Sequence, residues 1–244
     1  MSRSGWTMIA AAALMAARCG GSGAAAPTAS SADSTTATGS APAMYSEFYG
    51  TTVSVEGDEI VLRASSVPDH PSPYFETSNA LYEAPSGGVR VNPNRITTQR
   101  LVFRVPASPN AASPSDTPMG PIGVAVNGVA FFNQYAAGRS PLDAEIISFD
   151  RFNGHPQQQG MYHYHLEPLW LTARDSSRLL GVLLDGFPVY GTRDANGSAP
   201  TDLDACHGHT APTRELPSGI YHYHVTADSP YIAGCFRGRA GRVG

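Results

Sequence analysis

The chain has 244 residues, a formal net charge of −4, only 15% charged residues and no lysine. That balance excludes a basic footprint for nucleic acid, and no apolar stretch is long enough to predict a transmembrane helix. Glycine (25) and proline (20) are abundant and helical periodicity is scarce. The expected fold class is therefore mainly β, a single β-rich domain of sandwich or barrel-like form with few short helices.

Residues 1–19 read as a signal peptide, with Arg3 as the positive region and an apolar run over 6–17. Cys19 follows at once, then Gly20-Gly21-Ser22-Gly23. This resembles a lipoprotein signal whose cysteine is lipidated and anchors the chain to an envelope lipid, although Arg18 stands where such signals carry a small residue. The expected location is exported, periplasmic or extracellular, with Cys19 as the candidate tether. Residues 20–43 are almost wholly Ala, Gly, Ser, Thr and Pro and read as a linker with nothing to pack. The domain proper is expected over 44–240.

Within it, residues 51–55, 59–64 and 99–105 are apolar or alternating and β-branched, which predicts strands that complete a sheet. Residues 106–118 read as a Pro/Ser/Ala-rich loop, and 142–149 as one short helical turn. His70, set among prolines, is expected in an exposed loop.

Two halves follow, 120–168 and 178–236, which repeat one pattern. Each opens with an apolar residue, Gly, three apolar residues and then Asn127-Gly128 or Asp185-Gly186, a strong hairpin signal because both turn positions need positive φ. Each continues with D-x-x-x-G-H: Asp150 to His155, then Asp204 to His209. Each ends on Gly160 or Gly219, one apolar residue and the word Tyr-His-Tyr-His, at 162–165 and 221–224. The pattern predicts a pseudo-twofold duplication inside one domain.

In a strand, residues i and i+2 share a face. Each tetrapeptide thus offers paired imidazoles on one side and phenols on the other, and paired imidazoles chelate transition metals. The candidate metal ligands are His155, His163, His165, His209, His222 and His224, with Asp150, Asp204 and His207 as further candidates. Each half can supply its own four-coordinate site, or the strand histidines can converge across the pseudo-twofold on one ion. Imidazole-rich sets suit a transition metal ion, with copper or zinc favoured. Asp150 and Asp204 fit three roles equally: ligand, acceptor for an imidazole N–H, or turn residue. The tyrosines fit cross-strand packing.

Cys206 and Cys235 form an even pair in an exported chain, which favours a disulfide. The rival role for Cys206, close to His207 and His209, is a thiolate ligand.

Asp204, Cys206, Gly208 and His209, then Gly219 and Tyr221 to His224, then Pro230, Tyr231, Cys235 and Gly238 resemble the YHYH-domain family of secreted bacterial proteins. The resemblance spans residues 118–238. The first half departs from it by carrying Phe152 where Cys206 stands. It implies export and a shared fold, and no mechanism. The functions that remain in view are transition-metal binding, a non-catalytic cell-surface module for glycan or protein, and a metal-dependent hydrolase or oxidoreductase. In the last case a metal-bound water is the nucleophile and Asp150 or Asp204 the base.

Overall fold

The computed structural model describes residues 40–244; the expected signal peptide, Cys19 and most of the expected linker lie outside the described residues. The first strands are β1 (Thr51–Glu56), β2 (Glu59–Ala64), β3 (Leu101–Pro106) and β4 (Ala111–Ser115). The first half of the duplication contributes β5 (Pro121–Ala125), β6 (Ala130–Phe132), β7 (Tyr135–Ala136), β8 (Ser140–Pro141), the helical turn α1 (Asp143–Ile146), β9 (Gly154–Pro156) and β10 (Tyr162–Tyr164). After a second turn, α2 (Leu169–Thr172), the other half gives β11 (Leu179–Leu183), β12 (Pro188–Tyr190), β13 (Gly208–Ala211) and β14 (Ile220–His224). The chain closes with β15 (Phe236–Gly238) and β16 (Arg242–Val243). The expected β-rich fold is what forms, as open sheets with no closed barrel among the described residues.

The main sheet has the order β13-β14-β12-β11-β5-β6-β10-β9. Its centre is the antiparallel pair β5–β11, and each half extends outward from there in the same sequence of strands. A pseudo-twofold normal to the sheet, passing between β5 and β11, relates the halves. The hairpins β5–β6 and β11–β12 turn at Gly128 and Gly186, both at positive φ (82° and 84°). Only the glycine of each pair adopts it: Asn127 and Asp185 are not at positive φ, so in place of the expected turn with both positions left-handed each hairpin has a longer loop ending in one left-handed glycine.

A second sheet, β1-β2-β3-β16, contributes Ile60, Leu62, Phe103 and Val105 to the same buried cluster as Val124, Val182, Leu183 and Val189 of the main sheet. Alternation in β2 and β3 places these side chains inward. The predicted loop over 106–118 is partly a correction: Ala111–Ser115 forms β4 and pairs with β15, though fully exposed.

Register decides where the histidines go. Across the main sheet His155 pairs with His163, His163 with Ala130, Ala130 with Val124, Val124 with Val182 and Val182 with Pro188. Val189 pairs with Tyr223, so Pro188 lies beside His222, which pairs with His209. Cross-strand partners share a face, so both histidine sets stand on one face of the sheet, at its opposite edges. Five strand spacings separate His163 from His222, on the order of 20 Å.

Candidate metal centres

Each half builds its site from the same local devices. Asp150 and Asp204 sit at the start of a tight turn. Asp150 accepts the Phe152 N–H (2.9 Å) and Asp204 the Cys206 N–H (2.9 Å), with Asn153 and His207 at positive φ in equivalent places. The first tyrosine of each tetrapeptide reaches back to the same carboxylate: Tyr162 Oη donates to Asp150 (2.7 Å) and Tyr221 Oη to Asp204 (2.9 Å). The intervening glycine makes this possible. A Cβ at Gly154 would lie 2.3 Å from Tyr162 Oη, and one at Gly208 would lie 2.5 Å from the Tyr221 ring. Gly208→Ala is therefore expected to displace the Tyr221 ring and destabilise the fold by roughly 1–3 kcal/mol, measured by urea unfolding.

The second tyrosine of each copy is anchored at the hairpin turn. Tyr223 Oη donates to Asp185 (2.6 Å), which also accepts the Arg237 and Gly238 N–H groups. Tyr164 Oη receives the Asn127 amide (3.2 Å) and bonds His70 Nε2 (2.8 Å). His70 is thus not an exposed loop residue. It is fully buried against Phe152, Tyr162 and Trp170, because pairing with Tyr164 and the Pro71 carbonyl satisfies both ring nitrogens.

With the tyrosines turned to the other face, the histidines converge. His155, His163 and His165 form one group; Asp194, His209, His222 and His224 form another, the ligand atoms of each group lying within 4.8 Å of one another. The two groups stand at opposite edges of the sheet, so one ion cannot be shared between the halves.

The Nδ1 atom of every one of these imidazoles is already bonded. His163 bonds the Met161 carbonyl (3.1 Å), His165 that of Asn133 (2.6 Å), His222 that of Ile220 (2.9 Å) and His224 that of Gly191 (2.6 Å). Carbonyl oxygens only accept, so Nδ1 carries the proton. His155 Nδ1 meets Ser148 Oγ (2.7 Å), whose own proton goes to the Glu145 carbonyl (2.7 Å). His209 Nδ1 meets the Asp202 carboxylate (2.7 Å), held below its usual pKa range first by that bond. Ser148 and Asp202 occupy equivalent positions, two residues before Asp150 and Asp204.

All six Nε2 atoms are left as lone pairs facing inward. His163 and His165 Nε2 approach to 3.0 Å, His209 and His222 Nε2 to 3.2 Å. Asp194 Oδ1 comes within 3.1, 3.3 and 3.9 Å of the Nε2 atoms of His209, His224 and His222. Asp194 Oδ1 and His224 Nε2 are buried without a hydrogen-bond partner. Tetrahedral nitrogen ligands at 2.0–2.1 Å from an ion are about 3.3 Å apart, close to these separations.

Burial, with repulsion from neighbouring imidazoles, holds the pKa of His155 down to about 3 and pushes that of His163 well below its usual value. Burial is also the first cause for His165 and His222, both lowered to about 4, and for His224. In the metal-free chain this sets a pH dependence of stability. Below about pH 6.5 the unfolded state binds more protons than the folded state, so stability falls as pH drops from 6.5 towards 4, by up to about 1.4 kcal/mol per pH unit for each such histidine. Urea midpoints of chelator-treated protein should decline steadily across that window; a midpoint independent of pH contradicts the buried neutral imidazoles.

Of the other sequence candidates, Asp150, Asp204 and His207 lie outside both groups. The two aspartates are committed to turn N–H groups and tyrosine hydroxyls. Asp150→Ala strands the Tyr162 and Ser72 hydroxyls, and should cost on the order of 3 kcal/mol while leaving metal content unchanged. Loss of metal at unchanged stability would overturn that assignment. His207 is half-buried and its ring only approaches Thr226 Oγ1, at 3.5 Å. Cys206 and Cys235 form the expected disulfide, so Cys206 is no thiolate ligand. Sequence reasoning missed both carboxylates at the clusters: Asp194, and Glu145, whose Oε2 lies 3.7 and 3.8 Å from His155 and His165 Nε2. Both come from the unaligned segments between hairpin and turn, where no spacing separates them from other acidic residues. Among the described residues no helix is long and apolar enough to cross a membrane.

Comparison with curated proteins and with solved structures finds no match. The family described as YHYH protein matches residues 102–201 and again 194–238, so its two matches run through both halves and over all six clustered histidines. The chain belongs to the YHYH protein family.

Proposed function

We propose that this protein binds two transition-metal ions, zinc or copper, one in each half of the duplication. The observation that carries the reading is the protonation pattern. Every Nδ1 proton is spent on an outside acceptor, so each cluster is a set of lone pairs with no donor among them. Neutral lone pairs 3.0–3.2 Å apart repel unless a cation lies between them, and buried polar atoms left unsatisfied are costly. Outer hydrogen bonds on each imidazole are the usual way a protein aims a ligand and raises its basicity. Imidazole with a carboxylate suits zinc and copper.

A groove-lining role for the His and Tyr faces is disfavoured, since all ten side chains of the two tetrapeptides and the Gly-His residues are buried. The disulfide suits an oxidising, exported setting, with Cys19 as the proposed lipid anchor. The test is metal analysis of protein purified without a polyhistidine tag and reconstituted with zinc. Two equivalents per chain are expected. No bound metal after reconstitution sinks the proposal, and a single equivalent confines it to one half.

A further inference from the structure

We infer that the two centres differ in kind: the first-half centre keeps an open coordination position for a small exogenous ligand, and the second-half centre is closed. This rests on the two-centre reading. In the second half Asp194 Oδ1 caps the triangle of imidazoles, within 3.1–3.9 Å of all three Nε2 atoms, and is buried with no other partner. Three nitrogens and one oxygen complete a tetrahedron.

The first half has no such cap. Glu145 stays outside the group that His155, His163 and His165 form. It flanks only the His155–His165 edge, at 3.7 and 3.8 Å, and does not also reach His163, so it caps no triangle of imidazoles. Its Oε1 accepts the Ala137 N–H (3.4 Å), which holds Oε2 towards the cluster from the α1 turn. The carboxylate is therefore placed to take a hydrogen bond from a water on the ion rather than to bind the ion itself. Three histidines with a vacant fourth position are the donor set of metal centres that exchange a ligand.

The walls limit what enters. Phe132 stacks on His163 at 3.9 Å between ring centres, and Phe149 packs edge-on to His155 at 4.7 Å. The ligand class is thus small and monodentate: water, a halide or a short linear anion. The aromatic surroundings also strengthen every electrostatic interaction at the ion.

Cobalt(II) reports the difference through its visible bands. The full chain is loaded with cobalt(II) and titrated with sodium azide. In the wild type, azide should shift the bands of half the bound cobalt. In His222→Ala/His224→Ala, which retains only the first-half centre, all of the cobalt should respond. In His163→Ala/His165→Ala, none should. Glu145→Gln should keep its cobalt and bind azide several-fold more tightly, because a negative charge beside the open position is gone. Loss of first-half cobalt in Glu145→Gln makes Glu145 a ligand and overturns the inference. So does a wild-type spectrum that azide leaves unmoved, or moves for both ions alike, and this arm holds even where a double variant fails to fold. Absence of any cobalt bands overturns the two-centre reading itself.

Discussion

Loading the metal-free protein with zinc is expected to raise its melting temperature by about 20 °C, with half that gain in a variant lacking either histidine pair. A ligand that binds only the folded state stabilises it by about 4.1 kcal/mol at a free concentration a thousandfold above its dissociation constant. Two sites give about 8 kcal/mol, and for a domain of this size each kcal/mol moves the midpoint by roughly 2–4 °C. The unfolded chain offers no preformed competitor, because the three imidazoles of each group come from strands paired in the sheet: His155 on His163, and His209 on His222. His222→Ala/His224→Ala removes two ligands from one group and none from the other. Calorimetry of wild type and variant, each with and without zinc, separates the contributions. A zinc-induced gain that is the same in both proteins rules out independent centres. A zinc-independent midpoint in the wild type removes the metal altogether.

The second large effect is expected at the disulfide. Cys206 and Cys235 close a loop with a sequence separation of 29 around β13 and β14. The chain-entropy account gives about 3–4 kcal/mol for a loop of that length, equivalent to a fall of roughly 10 °C in the midpoint. The loss should be local in its consequences. Cys206 lies three residues before His209, and its N–H is one of those bonded by Asp204, so loosening this turn loosens the second-half centre. The first half uses Phe152 in the same place, packed against His70 and Trp170. Cys206→Ala/Cys235→Ala is expected to keep first-half zinc at wild-type affinity and to weaken second-half zinc. Equal weakening at both centres would show that the bridge acts on the whole fold.

Much of the site was legible because it is built from short-range chemistry. Asn127-Gly128 and Asp185-Gly186 demand hairpins, and alternation in Tyr-His-Tyr-His demands that phenols and imidazoles part to opposite faces. Each of these follows from backbone sterics within a few residues. The aspartates of D-x-x-x-G-H were legible as constrained but ambiguous in role, since a carboxylate before a turn reads the same whether it holds N–H groups or an ion.

The sequence by itself thus determined the duplication, the six histidines, the β-rich class and the family, and it favoured the pairing of the cysteines over a thiolate role for Cys206. Tertiary structure alone decided three things. It gathered the histidines into two clusters rather than one, because β5 and β11 pair at the middle of the sheet and carry the histidine strands outward to opposite edges. It chose Asp194 and Glu145 over Asp150 and Asp204, because the loops bearing them fold back over the histidine face while the turn aspartates are consumed by tyrosines on the other. It buried His70, whose Nε2 finds its partner in Tyr164, on a strand distant in sequence. Local periodicity and turn chemistry are short-range forces; which loop closes over which face depends on packing between segments that the chain order does not place side by side.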